Sequence, residues 1–385
     1  LNSGQYTVAH NSNNNESVVG QKSTRSINDV DNDENVTVMT EMDAEEANRS
    51  LESQAQTIMD QVNSGDANLM HEALATMDQW IQVLKEQEQV LDLEMDPSDL
   101  TSEQLEEYQF VLRWKLFVFK YYTIALHRLQ QFSTVLKWSD QVLEMEPLLE
   151  RYFEMDDDYF FDLNDVCSLR IDALVNLNRL DKALVYSEFL IDERLRARLE
   201  EMEEEVTSAS LNNGMDDDYN EEKLEKLGHV RQQLMTELSA RGNIYYLKNK
   251  KEVALKFFNE AIQLGDKASL AMRAMIYIER GKIQNAMKDA EQLLTSVDEV
   301  DDEAKEKAQL IYAICLSKEE RYEEALNAFD ACIDSGITTP DVYLMRSTCH
   351  YQVRDFEKAL EDIKMVELLS PERTPDVLQE HINCL

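Results

Sequence analysis

An all-α chain of antiparallel helix pairs is what the sequence predicts, on three observations. Only nine Gly and five Pro occur in 385 residues, while Leu, Glu, Ala, Lys, Gln and Met are abundant, so helix is favoured nearly throughout. Apolar residues recur at the spacing of a buried helix face in one segment after another. Ala254, Ala286, Ala325 and Ala359 lie 32, 39 and 34 residues apart, the size of one helix-turn-helix unit whose apolar face must be buried by its neighbours.

The elements follow in order. Residues 1–43 are rich in Asn, Ser and Asp, show no helical period and have no aromatic after Tyr6; such a segment buries too little to fold alone and is expected to be a disordered tail. From 44 to 206 degenerate helical hairpins are expected. Leu51, Ala55, Ile58, Met59 and Val62 mark one helix, a Ser64-Gly65-Asp66 break follows, and Leu69, Ala73, Met77, Trp80 and Leu84 mark the next. Thr101 and Gln104 have capping-box spacing ahead of a long helix whose buried face carries Phe110, Trp114, Phe117, Tyr121, Ala125 and Leu129. A partner helix starts at Phe132. A third hairpin begins near Phe161, after Asp156–Asp158, and its second helix runs from Leu180 to about Val206. The polar, non-periodic run at 207–220 is expected to be a flexible acidic insertion. Four repeats are then expected over 221–371, and a capping helix over 372–385.

Residues within these units resemble the tetratricopeptide repeat (TPR) family. Arg321-Tyr322-Glu323-Glu324-Ala325-Leu326, followed by Phe329 and Cys332, looks like the second helix of that repeat, with Tyr312 and Ala313 in the first. Gly242, Tyr245, Ala254-Leu255, Phe258 and Ala261 follow the family's Gly, Tyr, Ala, aromatic, Ala series, with Arg241 in its Leu place. Tyr343, Phe356, Ala359-Leu360, Ile363 and Pro371 form the last unit, and Ala183-Leu184 fits a further one. Over 50–200 the likeness fades: Phe132, Val135-Leu136 and Val142 imitate the second helix with Val in the Ala place. The resemblance implies a right-handed superhelical solenoid that binds peptide segments on the concave surface lined by first helices. Phasing on the repeats projects that lining as Asn243, Tyr246, Met272, Met275, Ile278, Leu310, Ile311, Ile314, Leu344, Met345 and Tyr351.

Composition narrows the partner. Asp and Glu number 77 against 38 Lys and Arg, a formal charge of −39, so phosphate backbones and anionic membranes are repelled and no nucleic-acid partner is expected. Other proteins are expected, either as apolar or amphipathic segments in a methionine-rich groove or as basic clients of the acidic surface. Family members that clamp the acidic tails of heat-shock chaperones use Lys, Arg and Asn, whereas this groove offers Asn243 and Lys307 alone; no chaperone-tail clamp is expected.

No catalytic motif is present: the six His are scattered, and HExxH, GxSxG, GxxxxGK[ST] and GxGxxG are absent. A non-enzymatic scaffold or adaptor without cofactor is therefore expected, with an acidic escort for basic proteins as the alternative. Asp156–Asp158, Asp216–Asp218 and Asp298–Glu303 lack the ligand spacing and central Gly of a calcium loop, so no metal site is expected. Cys167, Cys315, Cys332, Cys349 and Cys384 form no CxxC pair and suit the core of a protein in an intracellular reducing compartment. That compartment is the cytoplasm or, if Leu1 follows a removed leader, the mitochondrion. The sequons at Asn15, Asn35 and Asn48 are read as chance matches. The apolar run Phe110–Leu129 is interrupted by Arg113, Lys115, Lys120 and Arg128, so no membrane insertion is expected.

Overall fold

The computed structural model describes residues 49–370 except 90, 92–95, 154–156, 212–216 and 296–301. The tail expected over 1–43 and the cap expected over 372–385 lie outside the described residues. Helix dominates, and no strand occurs among the described residues. The chain divides into two compact units at Arg179/Leu180.

In the first unit, α1 (49–63 as described) and α2 (Ala67–Glu88) are followed by α3 (Ser102–Arg128), α4 (Phe132–Leu143), α5 (Glu146–Tyr152) and α6 (Asp157–Asn176). Asp66 caps α2 by accepting the Asn68 N–H at 2.7 Å. The capping box expected at Thr101 is formed: its N–H donates to Gln104 Oε1 at 3.0 Å, and the Gln104 N–H donates to Thr101 Oγ1 at 3.3 Å. One core joins the helices through Ile58, Met77, Leu112, Leu116, Val135 and Val166. Trp80 of α2 meets Trp114 of α3 edge to face, with ring centroids 5.4 Å apart. Lys120 bridges to Asp162 at 2.5 Å and Asp165 at 2.9 Å, tying α3 to α6.

Between α3 and α6 also lies His127, half-buried, its Nε2 3.8 Å from Asp172 Oδ2 and without a hydrogen-bond partner. Burial holds its imidazole below the usual pKa of 6.5, against the pull of Asp172. A depressed histidine stabilises the native state fully above pH 6.5, and that contribution is lost as pH falls toward the folded value. Burial raises the Asp172 carboxyl, against the pull of His127, and its effect on stability has the opposite sign. Urea titrations of wild type and His127→Gln at pH 7.5 and pH 5.5 (about one unit either side of the ordinary value) are expected to show a smaller acid-induced loss in the variant.

The second unit comprises α7 (Leu180–Glu188), a π-helical turn (Phe189–Leu195), α8 (Arg196–Leu211), α9 (Asp217–Leu247), α10 (Lys251–Leu264), α11 (Ala268–Glu279), α12 (Ile283–Thr295), α13 (Asp302–Lys318), α14 (Tyr322–Asp334), α15 (Pro340–Gln352) and α16 (Phe356–Leu369). From α9 onward the helices form successive hairpins. The insertion expected at 207–220 is shorter than the sequence suggests, because α8 continues to Leu211 and α9 begins at Asp217. Thr207 and Ser208 lie within α8, their hydroxyls donating back to the Glu203 and Glu205 carbonyls at 2.7 and 2.9 Å. Lys223 then links α9 to Glu205 of α8 at 2.8 Å.

One turn recurs in both units. Gln130, Asn178, Asn249, Gly281, Glu320 and Arg354 follow α3, α6, α9, α11, α13 and α15 with φ between 55° and 69°. In each case the next N–H reaches back five residues: Gln131 to Leu126 (2.9 Å), Arg179 to Leu174 (2.7 Å), Lys250 to Tyr245 (2.9 Å), Lys282 to Tyr277 (2.8 Å), Arg321 to Leu316 (3.0 Å) and Asp355 to His350 (2.8 Å). This closure satisfies helix-end carbonyls and reverses the chain. It also reveals units in the N-terminal half that side-chain pattern barely marks, since Val135 there occupies the small-residue position and is fully buried. A left-handed L-residue costs about 1–2 kcal/mol, partly offset by glycine's greater entropy in the unfolded chain. Arg354→Gly is accordingly expected to raise stability by about 0.5 kcal/mol, read as a higher urea midpoint.

Candidate protein-binding surface

Small residues set the approach of helices within each pair of the second unit. Ala254, Ala286, Ala325 and Ala359 are 0, 0, 0 and 3% exposed. Counting from these alanines, the projected lining falls into four repeat positions on α9, α11, α13 and α15. Asn243, Met275 and Ile314 share one; Met272, Ile311 and Met345 a second; Tyr246, Ile278 and Tyr351 a third; Leu310 and Leu344 a fourth. They therefore stack at matching heights, but they are not equally accessible.

Met275 and Met345 are each 36% exposed, whereas Ile311 and Ile314 are 3 and 7% exposed. The two isoleucines belong to the core that joins α11 to α15. Ile311 and Ile314 are thus core rather than lining, sharing one cluster with Ala271 and Ala274 of α11 and Val342 and Cys349 of α15. Asn243, Tyr246, Met272, Ile278, Leu310, Leu344 and Tyr351 are half-buried. Tyr246 donates its hydroxyl to Glu279 Oε1 at 2.8 Å, and Glu279 also holds Lys251 at 2.6 Å. The Lys251 contact holds the Glu279 carboxyl below its usual range despite burial, and burial with the Glu279 acceptor pushes the Tyr246 phenol up. Tyr351 packs on Phe356, centroids 5.5 Å apart. Asn243 Oδ1 is buried with no hydrogen-bond partner, an acceptor left unspent at the edge of this face.

Sequence reasoning missed what holds the face in shape. Arg273 of α11 forks onto Asp289 of α12 with bonds of 2.8 and 2.7 Å and reaches Asn259 of α10 at 2.8 Å. Arg346 of α15 repeats this on Asp362 of α16, at 3.0 and 2.5 Å, and reaches Asp330 of α14 at 2.6 Å. Each arginine joins its own hairpin to the preceding second helix, and the fork geometry makes both contacts with one planar group. In α9 the equivalent Arg241 instead lies over Phe257, 4.7 Å from its centroid, and bonds Asp192 at 2.9 Å. In the α13 pair, Tyr312 and Ala328 take the two places and the clamp is absent. An Arg-to-Asp spacing of 16, present twice, was the legible signal.

The thiols of this unit are buried: Cys315, Cys332 and Cys349 are free. Desolvation, aided at Cys315 by Glu319, pushes Cys315 up to about 12 and desolvation alone pushes Cys332 to about 11, so they are inert core groups rather than nucleophiles. Among the described residues no group of His, Cys, Asp and Glu is arranged to hold a metal, and no helix is long and apolar enough to cross a membrane.

No family model and no curated protein matches the chain. Solved structures similar to it include the APC/C hetero-tetramer Cut9-Hcn1 (11% identity, TM-score 0.49, 82% of this chain and 56% of that one). Others are the assembly chaperone of RpL4, Acl4 (10%, TM-score 0.43, 77% and 99%), and YrrB, described as a TPR protein with an unusual peptide-binding site (16%, TM-score 0.37, 60% and 93%). On its own evidence of buried alanines at repeat spacing, recurrent left-handed turns and paired helices, the chain has a TPR-like all-α fold.

Proposed function

We propose that this chain is a non-enzymatic protein-interaction scaffold. Its second unit is taken to bind an apolar or amphipathic segment of a partner along the first-helix face of α9, α11 and α15. The observation that carries this reading is the pair Met275 and Met345, each 36% exposed at places where a folded core would bury them. Flanked by half-buried Met272, Tyr246 and Tyr351, they offer a flexible apolar surface that adapts to varied side chains. Four buried free cysteines support an intracellular reducing compartment.

The second reading, an acidic escort for basic proteins, is favoured by α8, where Glu200, Glu201, Glu203 and Glu204 are exposed. Salt distinguishes them, since contacts between exposed charges are screened over about 8–10 Å at ordinary ionic strength. The full chain and a Met275→Glu/Met345→Glu variant, used as bait at 0.1 M and 0.5 M salt (roughly a twofold change in screening length), are expected to differ: partners should survive salt and be lost, at least about tenfold, from the variant. Partners that ignore the variant and vanish with salt would transfer the function to the acidic surface. Neither methionine is core, so the variant keeps the fold, whereas a charge at Ile311 would not.

A further inference from the structure

The methionines among the described residues divide by access. Met70, Met77, Met145, Met202 and Met287 are at most 7% exposed, Met275 and Met345 are each 36% exposed, and the other described methionines are half-buried. The two accessible ones lie on the first-helix face, Met275 on α11 and Met345 on α15. A polar group fits the fold there: counting from the repeat alanines, the Met275 place holds Asn243 on α9 and Thr348 on α15.

Thiolates are the usual first targets of a peroxide, being the stronger nucleophiles. Among the described residues they are withdrawn from it. Cys167, Cys315, Cys332 and Cys349 are buried and free, and burial keeps Cys315 and Cys332 as neutral thiols at pH 7. A thioether has no proton to lose, so access to its sulfur decides whether it reacts. The described side chains most open to an oxidant of this kind therefore stand on the face assigned above to the partner.

We infer that Met275 and Met345 are oxidation sites, whose conversion to the sulfoxide by hydrogen peroxide releases the partner and whose reduction restores binding; this rests on the reading of the first-helix face as the partner site. A sulfur lone pair attacks one peroxide oxygen, the S–O bond forms and the O–O bond breaks, and the departing hydroxide takes the remaining peroxide proton to leave as water. Sulfur loses the two electrons that the peroxide gains. Return uses a dithiol through a methionine sulfoxide reductase: the oxygen leaves as water and the dithiol closes to a disulfide. The sulfoxide oxygen is a strong acceptor to which an apolar segment offers no donor, so covering it with the partner strands a polar group.

In the purified full chain treated with hydrogen peroxide, peptide mass spectrometry is expected to show Met275 and Met345 oxidising at least about tenfold faster than Met77 and Met287, with the urea midpoint unchanged. Freed of peroxide and used as bait, the oxidised chain is expected to lose the salt-resistant partners by about tenfold, and reductase treatment to restore them. Met275→Leu/Met345→Leu, similar in volume and without sulfur, is expected to keep them after the same treatment. Oxidation of Met275 and Met345 no faster than of Met77 would overturn the proposal. So would an oxidised wild type that holds the partners which Met275→Glu/Met345→Glu loses, or a leucine variant that peroxide disarms equally. Partners held as well by the glutamate variant as by wild type would instead remove the binding reading itself, and this proposal with it.

Discussion

Arg346→Ala is expected to destabilise the second unit by about 3–5 kcal/mol, the usual cost of stranding a buried carboxylate. Asp362 is 4% exposed at its side chain and both of its oxygens are spent on the Arg346 fork. Removing the guanidinium leaves that charge in the core between α15 and α16. It also frees Asp330, which is 55% exposed and loses little. The hydrogen bond to Asp362 pushes the Arg346 pKa further up, against burial, so the arginine remains charged throughout the accessible pH range. Replacing both partners, Arg346→Met with Asp362→Leu, is expected to recover most of the loss, because an apolar pair of similar volume carries no desolvation penalty. Urea midpoints of the single and double variants check this. A single variant within about 1 kcal/mol of wild type, the value of an exposed pair, would show that water reaches the clamp.

Two glycines in one helix are expected to respond with opposite signs. A Cβ at Gly242 of α9 would stand 2.6, 2.8 and 3.0 Å from three ring carbons of Phe258, which is fully buried on α10. The ring has nowhere to move, so Gly242→Ala should cost about 1–3 kcal/mol in overpacking. At Gly228, in the same helix, an added Cβ meets nothing within 4 Å. Gly228→Ala should therefore gain roughly 0.5–1 kcal/mol from helix propensity alone. Thermal unfolding of the two variants separates the effects, and Gly242→Ala combined with Phe258→Leu should regain part of the loss by making room for the methyl.

Much of this architecture was legible before any coordinates. Helix content follows from composition, and the spacing of Ala254, Ala286, Ala325 and Ala359 follows from close approach between paired helices, which any repeat of this kind must satisfy. Gly242 stands in the glycine place of the family series, but its close approach to Phe258 is visible only in the packed structure. The hairpins of the first unit were harder to see: Val135 replaces the small residue, and the turn that defines the unit is formed by backbone in a left-handed conformation, which Gln130 adopts at a cost that Gly281 escapes and does not advertise in sequence.

The binding face divides along the same line. Sequence determined which residues share a height on the first helices, because a helix repeats its faces at fixed spacing whatever surrounds it. Whether a residue at that height meets solvent or a neighbour depends on the separation of adjacent first helices, which no single segment encodes. Tertiary packing therefore decided that Ile311 and Ile314 belong to the core while Met275 and Met345 remain accessible. It also decided that arginines 16 residues from their aspartates close as buried clamps, since ion pairing across helices requires three elements to converge on one point.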